Sequence, residues 1–467
     1  MKSAIERFFK LKESKTDIKT EVLAGVTTFM AMAYILASIP KTMADPAYIM
    51  GNAALGAQIE NAVFIAVCIS SFIGTMLMAF LANLPFVLGP GIGITATFAY
   101  TLMLGMGYSY AEGLGVVFIS GILFIIISAL GLREAIVKAL PHNINVAISA
   151  GIGLFIAFIG MVNGGIVVNN DATLVSVVNF SDFSVGSPAR DAIVCLAGLT
   201  IIAYFSCKKI KGGILIAILG ATLVGIPLEV TEAPSNFSMD IATMFHDYTE
   251  LSFGKCFTGL QSMFAGSGFF EAVSEIFVVI ITISMIDMFD TIGTLIGAAQ
   301  GAGMMDEKGE VKNMKRALLS DAMATACGAV FGSSTITTFT ESSSGVAEGG
   351  RTGLTSVVAA LLFLVSIVLA PFIGIVPIAA VSPAMIYIGV LMISSTFDRF
   401  DFSTPDEAIP AFLTMAVMPL TYGIANGIAF GIISYVIAKI ISGKAKELNP
   451  TIIILAVLFT LRYAMIA

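Results

Sequence analysis

The stretch IFVVIITISMIDMFDTIGTLIGA (residues 276–298) is as long as a helix needs to be to cross a bilayer, and its only charges are Asp287 and Asp290. A carboxylate at the centre of a spanning helix costs about 2.5–3.5 kcal/mol, so the pair costs about 5–7 kcal/mol unless a bound solute or a proton offsets it. Packing alone does not explain that expense. Three residues apart, the two side chains lie about 300 degrees apart in helical projection and share one face. Their charges interact, which makes one of the two easier to protonate.

Composition points the same way. Hydrophobic residues make up 57% of the 467 positions and charged residues 12%, with a mean hydropathy of +0.96. Such a chain is not a soluble globular protein. Apolar runs of spanning length recur from Val22 to the C-terminus without the alternation of a β-barrel, so the fold class read here is an all-α polytopic membrane protein.

Lys and Arg set the orientation of such a protein. The opening MKSAIERFFKLKESKTDIK has six basic residues and no cleavage-site pattern, and reads as a cytoplasmic amphipathic start. Counting spans from there puts Arg133/Lys138, Lys208/Lys209/Lys211, Lys308/Lys312/Lys315/Arg316, Arg399 and Lys439/Lys444/Lys446 on the same side. The opposite side, with long loops over 44–60, 164–190 and 229–270, carries only Lys41, Arg190 and Lys255. Cys68, Cys195, Cys207, Cys256 and Cys327 have no paired spacing and read as buried thiols. His142 and His246 are far apart, so no metal site is expected. No Ser/His/Asp constellation, phosphate loop or nucleotide domain supports an enzyme or an ATP-driven pump.

The chain repeats itself. DAIVCLAGLTIIAYFSCKKIKGGILIAILGATLVGI (191–226) resembles EAIPAFLTMAVMPLTYGIANGIAFGIISYVIAKII (407–441), and LPHNINVAISAGIGLFIAFIGM (140–161) echoes VPIAAVSPAMIYIGVLM (376–392). The competing reading is chance similarity among Gly/Ala/Ile-rich helices. Two halves with an odd number of spans each have opposite orientations, the inverted-repeat pattern of secondary transporters.

Each half also holds one span that no ordinary helix fits. NLPFVLGPGIGITATFAYTLML (83–104) is broken by Pro85, Gly89, Pro90, Gly91 and Gly93; FGSSTITTFTESSSGVAEGGRTG (331–353) is Thr-rich and too polar for lipid. Unwound backbone at membrane depth is tolerated only inside protein or along a cavity. The expectation is a short strand followed by a half-helix in each, the helices starting near Ala96 to Phe98 and near Ser342 to Ser344, with Ser342 as an N-cap. Two such helix N-termini aimed at one midplane cavity favour electronegative groups of a solute.

Glu341 then stands at the mouth of the second half-helix, facing the helix of Asp287 and Asp290. Three carboxylates, with Arg351 ten residues beyond Glu341 as the one cation in these segments, suit a proton- or cation-coupled carrier of neutral, hydrogen-bonding solutes rather than of anions. Carboxylates accept N–H donors, and one can carry the coupling proton. Phe339 offers a flat face to an aromatic solute, or else is core. A channel or a non-transporting sensor is the reading from another class.

The strings TTFMAMAYILA (27–37), ANLPFVLGPGIG (82–93), DMFDTIGTLIG (287–297) and TTFTESSSGVAEGGRTGLT (337–355) resemble the purine permeases of the azaguanine-resistance type, a branch of the second nucleobase:cation symporter family. The resemblance implies a proton symporter of hypoxanthine, guanine or adenine in the cell membrane, with no cofactor beyond the coupling H+ and no nucleic-acid partner. It implies about fourteen spans as two inverted repeats of seven, spans 3 and 10 broken, and a homodimer as a frequent assembly. It also implies a cytoplasmic segment 1–15, a core domain (16–132 and 271–375), a gate domain (133–230 and 376–443), an outer connection 231–270 and a C-terminal segment 444–467. By position, Asp287 is similar to the residue that hydrogen-bonds the base, Glu341 to its partner, and Asp290 to the acidic residue that takes the proton, with the reverse of the Asp287 and Asp290 roles open. The apolar run 451–466 is extra, an interfacial or additional helix. One departure stands out: the family text is close to APGMGLNAYFAY, whereas this chain reads GPGIGITATFAY, so Thr95 replaces an asparagine that in relatives contributes to the site. A hydroxyl reaches less far than an amide, which opens a carrier of another neutral heterocycle such as xanthine or uracil.

Overall fold

The structure is a computed structural model that describes residues 2–129, 141–208, 210, 213–231, 241–266, 279, 280, 283, 284, 287, 291, 295, 313–339, 341–370, 375–396 and 399–465. Helix α1 (Lys2–Phe8) precedes α2 (Ile18–Met32) and α3 (Ile35–Ile49), followed by α4 (Ala53–Leu77), strand β1 (Leu88–Pro90), α5 (Ile92–Ala96) and α6 (Tyr110–Ala129). Then come α7 (His142–Asn163), a hairpin of β2 (Val167–Asn170) and β3 (Leu174–Val177), α8 (Pro188–Cys207), α9 (Gly213–Gly225), α10 (Ile241–Leu251) and α11 (Lys255–Gly266). The last part runs through α12 (Met314–Val330), β4 (Ile336–Thr338), α13 (Ser342–Ala347), α14 (Gly353–Val365), α15 (Ile378–Thr396), α16 (Pro405–Leu420), α17 (Ile424–Ile441) and α18 (Pro450–Met465). Among the described residues, the helical runs Ile18–Ile49, Ala53–Ala82, Tyr110–Ala129, His142–Asn163 and Pro188–Cys207 are long and apolar enough to cross a membrane.

Local chemistry sets the helix starts. Asp17 caps α2 by accepting the Thr20 N–H at 2.9 Å. That backbone bond holds its carboxyl below the usual carboxylate range. Asn52 caps α4 in the same way through the Leu55 N–H at 3.1 Å. Ala33 and Tyr34 interrupt the run between α2 and α3, which turns the Tyr34 side chain inward at 2% exposure.

The helices pack as two sets. One joins α2, α3, α4, α6, α12 and α14; the other joins α7, α8, α9, α15, α16 and α17. Among the described residues, contacts between the sets are few, chiefly α5 with α7, α3 with α15 and α2 with α9. In the second set α7 crosses α15 at Gly153 and Gly389, where a Cβ on Gly153 would meet the Gly389 carbonyl at 2.8 Å. The absence of side chains there lets the two backbones touch, the close packing that small residues permit between membrane helices.

Several segments differ from the sequence expectation. The outer loop over 164–190 contains the β2–β3 hairpin, whose turn is held by Asn170 Oδ1 accepting the N–H of Ala172 and Thr173. The loop over 229–270 contains α10 and α11, packed on α4 and α6. The extra C-terminal run is a helix, in line with the expectation: α18 packs on α17 and donates from Tyr463 Oη to Asn426 Oδ1 at 2.7 Å. Cys207, expected to be buried, is exposed at the end of α8, whereas Cys68, Cys195 and Cys256 are buried.

Candidate functional site

The two broken spans meet. β1 and β4 pair antiparallel in the register Leu88↔Thr338, Gly89↔Thr337 and Pro90↔Ile336. Bonds beyond the strands extend the ladder: Phe339 N–H to Val87 O and Gly91 N–H to Thr335 O, both 3.1 Å. One threonine on each neighbouring helix closes the remaining edges. Thr75 of α4 both accepts the Leu88 N–H at 3.0 Å and donates to Leu88 O at 3.1 Å; Thr325 of α12 donates to Ile336 O at 2.9 Å. Extended backbone thereby survives deep in an apolar body because its polar groups find partners inside the protein.

Helix starts after these strands differ in one case from expectation. α5 begins at Ile92, not near residues 96–98, because extended Gly91 already serves as its N-cap residue and its carbonyl accepts the Thr95 N–H at 2.8 Å. α13 begins at Ser342, but the cap position is Glu341. Ser342 Oγ instead accepts the Val87 N–H from the other broken span at 3.0 Å.

Glu341 enters a small cavity of about 50 Å³ with Tyr34, Gly91 and Phe339 on one side and Ile152, Ile156, Ile388 and Met392 of α7 and α15 on the other. The cavity therefore lies between the two helix sets and has room for a few waters. Tyr34 Oη donates to Glu341 Oε1 at 2.8 Å. Phe339 is 7% exposed and lines the same space.

Asp287 is helical and fully buried, and Ile280, Ile283, Ser284, Thr291 and Leu295, four residues or nearby along the same helix face, are buried with it. Its Oδ2 lies 3.3 Å from Thr325 Oγ1, the hydroxyl that also reaches Ile336 O. Asp287 is thus tied to the crossing through β4. Asp290 lies outside the described residues. Thr95 is buried and shares a 2.7 Å hydrogen bond with Ser334 Oγ. Thr95 and Ser342 thus brace one broken span against the other, whereas Glu341 and Phe339 line the cavity.

Three further polar residues complete the arrangement, none of them singled out by the sequence reading. Asp321 of α12, fully buried, takes the Thr291 hydroxyl at 2.9 Å on either oxygen and Thr338 Oγ1 at 3.4 Å. With its one hydrogen given to Asp321, Thr291 accepts from Thr337 at 2.8 Å. Glu21, also fully buried, accepts from the Arg351, Thr352 and Thr355 N–H groups and from the Thr352 and Thr355 hydroxyls, which fastens α2 to the start of α14. Tyr34 is the third. The signal for Asp321 and Thr325 was their four-residue spacing on one helix face; Glu21 and Asp321 each sit close to basic residues in the sequence, which disguised them as helix-end charges.

The comparisons with known proteins agree with this geometry. The sequence model of the xanthine/uracil Permease family matches residues 19–430. The chain is 36% identical over 468 residues to the adenine permease AdeP of Escherichia coli K12, covering 99% of this chain and 96% of that protein. It is 38% identical over 455 residues to the guanine/hypoxanthine permease PbuO of Bacillus subtilis 168, covering 97% and 98%. In fold it is similar to the transmembrane domain of a cyanobacterial bicarbonate transporter, BicA, with a TM-score of 0.57 at 15% identity over 86% of this chain and 97% of that one. A family match over residues 19–430 and relatives at 36–38% identity over nearly their full length lead to one conclusion: the chain belongs to the xanthine/uracil Permease family, and is an integral membrane transporter, not an enzyme.

Proposed function

We propose that the protein imports purine nucleobases (hypoxanthine, guanine or adenine) by proton symport across the cell membrane, with its N-terminus cytoplasmic. The observation that carries this reading is Glu341, an acceptor at the head of α13, held by Tyr34 beside Phe339 in a cavity between the two helix sets. Purine bases present N–H donors and a flat ring, which match a carboxylate next to an aromatic face. The names of the relatives AdeP and PbuO support the substrate class. Glu341 and Asp287 hold the base; Asp290 and Asp287 are the groups through which a proton is coupled.

Thr325 offers a route for that coupling. Its hydroxyl has one hydrogen and two acceptors in reach, Ile336 O at 2.9 Å and Asp287 Oδ2 at 3.3 Å. With the hydrogen on Ile336 O, a protonated Asp287 can donate to Thr325 Oγ1; an ionised one competes for that hydrogen with the strand. Protonation at Asp287 is thereby linked to β4. The core helices (16–132 and 271–375) carry the base, and the cavity opens when they move against the gate helices (133–230 and 376–443). At about 50 Å³ the cavity is too small for a two-ring base as it stands, which supports such a movement.

Uptake of labelled hypoxanthine, competed by a panel of unlabelled bases with and without a pH gradient, tests this reading. Saturable uptake that collapses with a protonophore is the expected result, and conduction without saturation contradicts it. Asp287→Asn and Glu341→Gln should each reduce uptake to a few per cent or less with the protein still in the membrane; near-normal uptake in both would sink the site assignment. A second reading, a carrier of xanthine or uracil, rests on Thr95 in place of the family's asparagine, and the same panel separates the two.

A further inference from the structure

At the end of the molecule that carries the N-terminus, residues 2–15 fold back onto the helix bundle. Phe9 and Leu11 are buried, at 6% and 1% exposure, and pack with Leu354. Asn83, with left-handed backbone at φ 52, clamps this segment. Its Nδ2 donates to Phe9 O at 3.1 Å and its Oδ1 accepts the Gly353 N–H at 2.9 Å. Asn313, also left-handed at φ 59, donates to Ala82 O at 2.9 Å. Asn and Asp are the side-chain-bearing residues that take up that conformation most readily.

The segments held in this way border an open pocket of about 780 Å³ whose lining includes Lys10, Lys15, Arg316 and Arg351, with the carboxylate of Glu13. Glu13 lies 3.6 Å from Lys10 in an exposed pair. Arg351 is held by carbonyls, Nη1 to Val346 O at 2.6 Å and to Gly350 O at 2.8 Å, which position the guanidinium without neutralising it. Among the described lining residues, four cations stand against the one carboxylate of Glu13, a net charge of about +3. Its rim is apolar. Phe8 and Phe80 are 60% and 51% exposed and meet edge to face at 5.8 Å between ring centres, next to Leu81 at 38%.

Exposed cations beside exposed aromatic rings are the chemistry of a bilayer interface, where aromatic side chains lie at headgroup depth and Lys or Arg attract anionic lipid. We propose that this pocket binds an anionic phospholipid, its phosphate among Lys10, Lys15, Arg316 and Arg351 and its acyl chain against Phe8, Phe80 and Leu81. A soluble phosphate compound would use the cations but leave the rings in contact with lipid or water unaided. The site is separate from the transport cavity. It does touch the broken span, because Arg351 lies in the turn between α13 and α14, so a bound lipid fastens the N-terminal segment to that element.

Native mass spectrometry of the purified full-length protein, equilibrated with phosphatidylglycerol or with phosphatidylcholine of the same chains, tests the proposal. The wild type should retain phosphatidylglycerol in preference. Each neutralised cation should lower that retention about five-fold, so Lys15→Ala with Arg316→Ala should lower it roughly 25-fold. Lys15→Arg with Arg316→Lys, which keeps both charges, should retain the lipid, and this pair separates loss of charge from loss of fold. Phe8→Ser with Phe80→Ser should also weaken retention. Equal retention by the wild type and the alanine double variant overturns the proposal. Displacement of the lipid by millimolar inorganic phosphate overturns it as well, since that outcome assigns the pocket to a soluble phosphate.

Discussion

Glu341 and Tyr34 show how much one hydrogen bond decides at the scale of single residues. Glu341 is the cavity's acceptor, yet its direction is set by a phenol from the break between α2 and α3, 2.8 Å away. Removing that donor with Tyr34→Phe takes away a bond to a charged group, worth about 1.5–3 kcal/mol, so the KM for hypoxanthine should rise roughly ten-fold or more. Uptake measured over a concentration series checks this, and an unchanged KM would remove Tyr34 from the site. Glu341 and Asp287 were legible in the sequence because a carboxylate in apolar text is expensive and stands out. Tyr34 was not. A tyrosine in an apolar run is ordinary, and only the turn at Ala33 and Tyr34 aims its hydroxyl across 307 positions of sequence at Glu341.

Among elements, the paired strands decide the geometry. Pro90 and the glycines around it, and the threonines of 335–338, exclude a continuous helix, so the existence of two broken spans could be read from composition. Their mutual pairing could not, since β1 and β4 are about 250 residues apart and nothing local specifies the register. The start of α5 shows a similar limit: by composition Gly91 breaks a helix, whereas in the fold it is the N-cap residue from which α5 begins. Thr95 belongs to this scale because its hydroxyl joins the two elements through Ser334. Thr95→Asn, with its longer amide, should reach past Ser334 and change the ranking of competing bases. A ranking identical to that of the wild type would confine Thr95 to bracing the crossing.

At the scale of the molecule, the two helix sets touch at few places among the described residues, and an open cleft of about 530 Å³ separates them at the end of α7. Asp45, Tyr100 and Thr101 line it from one set and Asn163 and Tyr422 from the other. The cleft is spanned by Thr101 Oγ1 donating to Tyr422 O at 3.3 Å and Asn163 Nδ2 to Tyr100 Oη at 3.5 Å. Bonds this long and few suit surfaces that separate and re-form in each cycle. Cysteines at Thr101 and Tyr422, with Cys207→Ser to remove the exposed native thiol, should abolish uptake on oxidation and recover it on reduction. Full uptake by the oxidised, cross-linked protein would contradict relative motion of the two sets.

Hydropathy, the two expensive aspartates and the two defective spans determined the class of this protein from sequence alone, because membrane insertion penalises charge and unpaired backbone at any position regardless of what packs beside it. The strand pairing, the Tyr34–Glu341 bond, the burial of Asp321 and Glu21 and the clamped N-terminal segment were decided only by the tertiary structure. Each joins residues that are distant in the chain, and the hydrogen bonds that hold them have no local signature for sequence to carry.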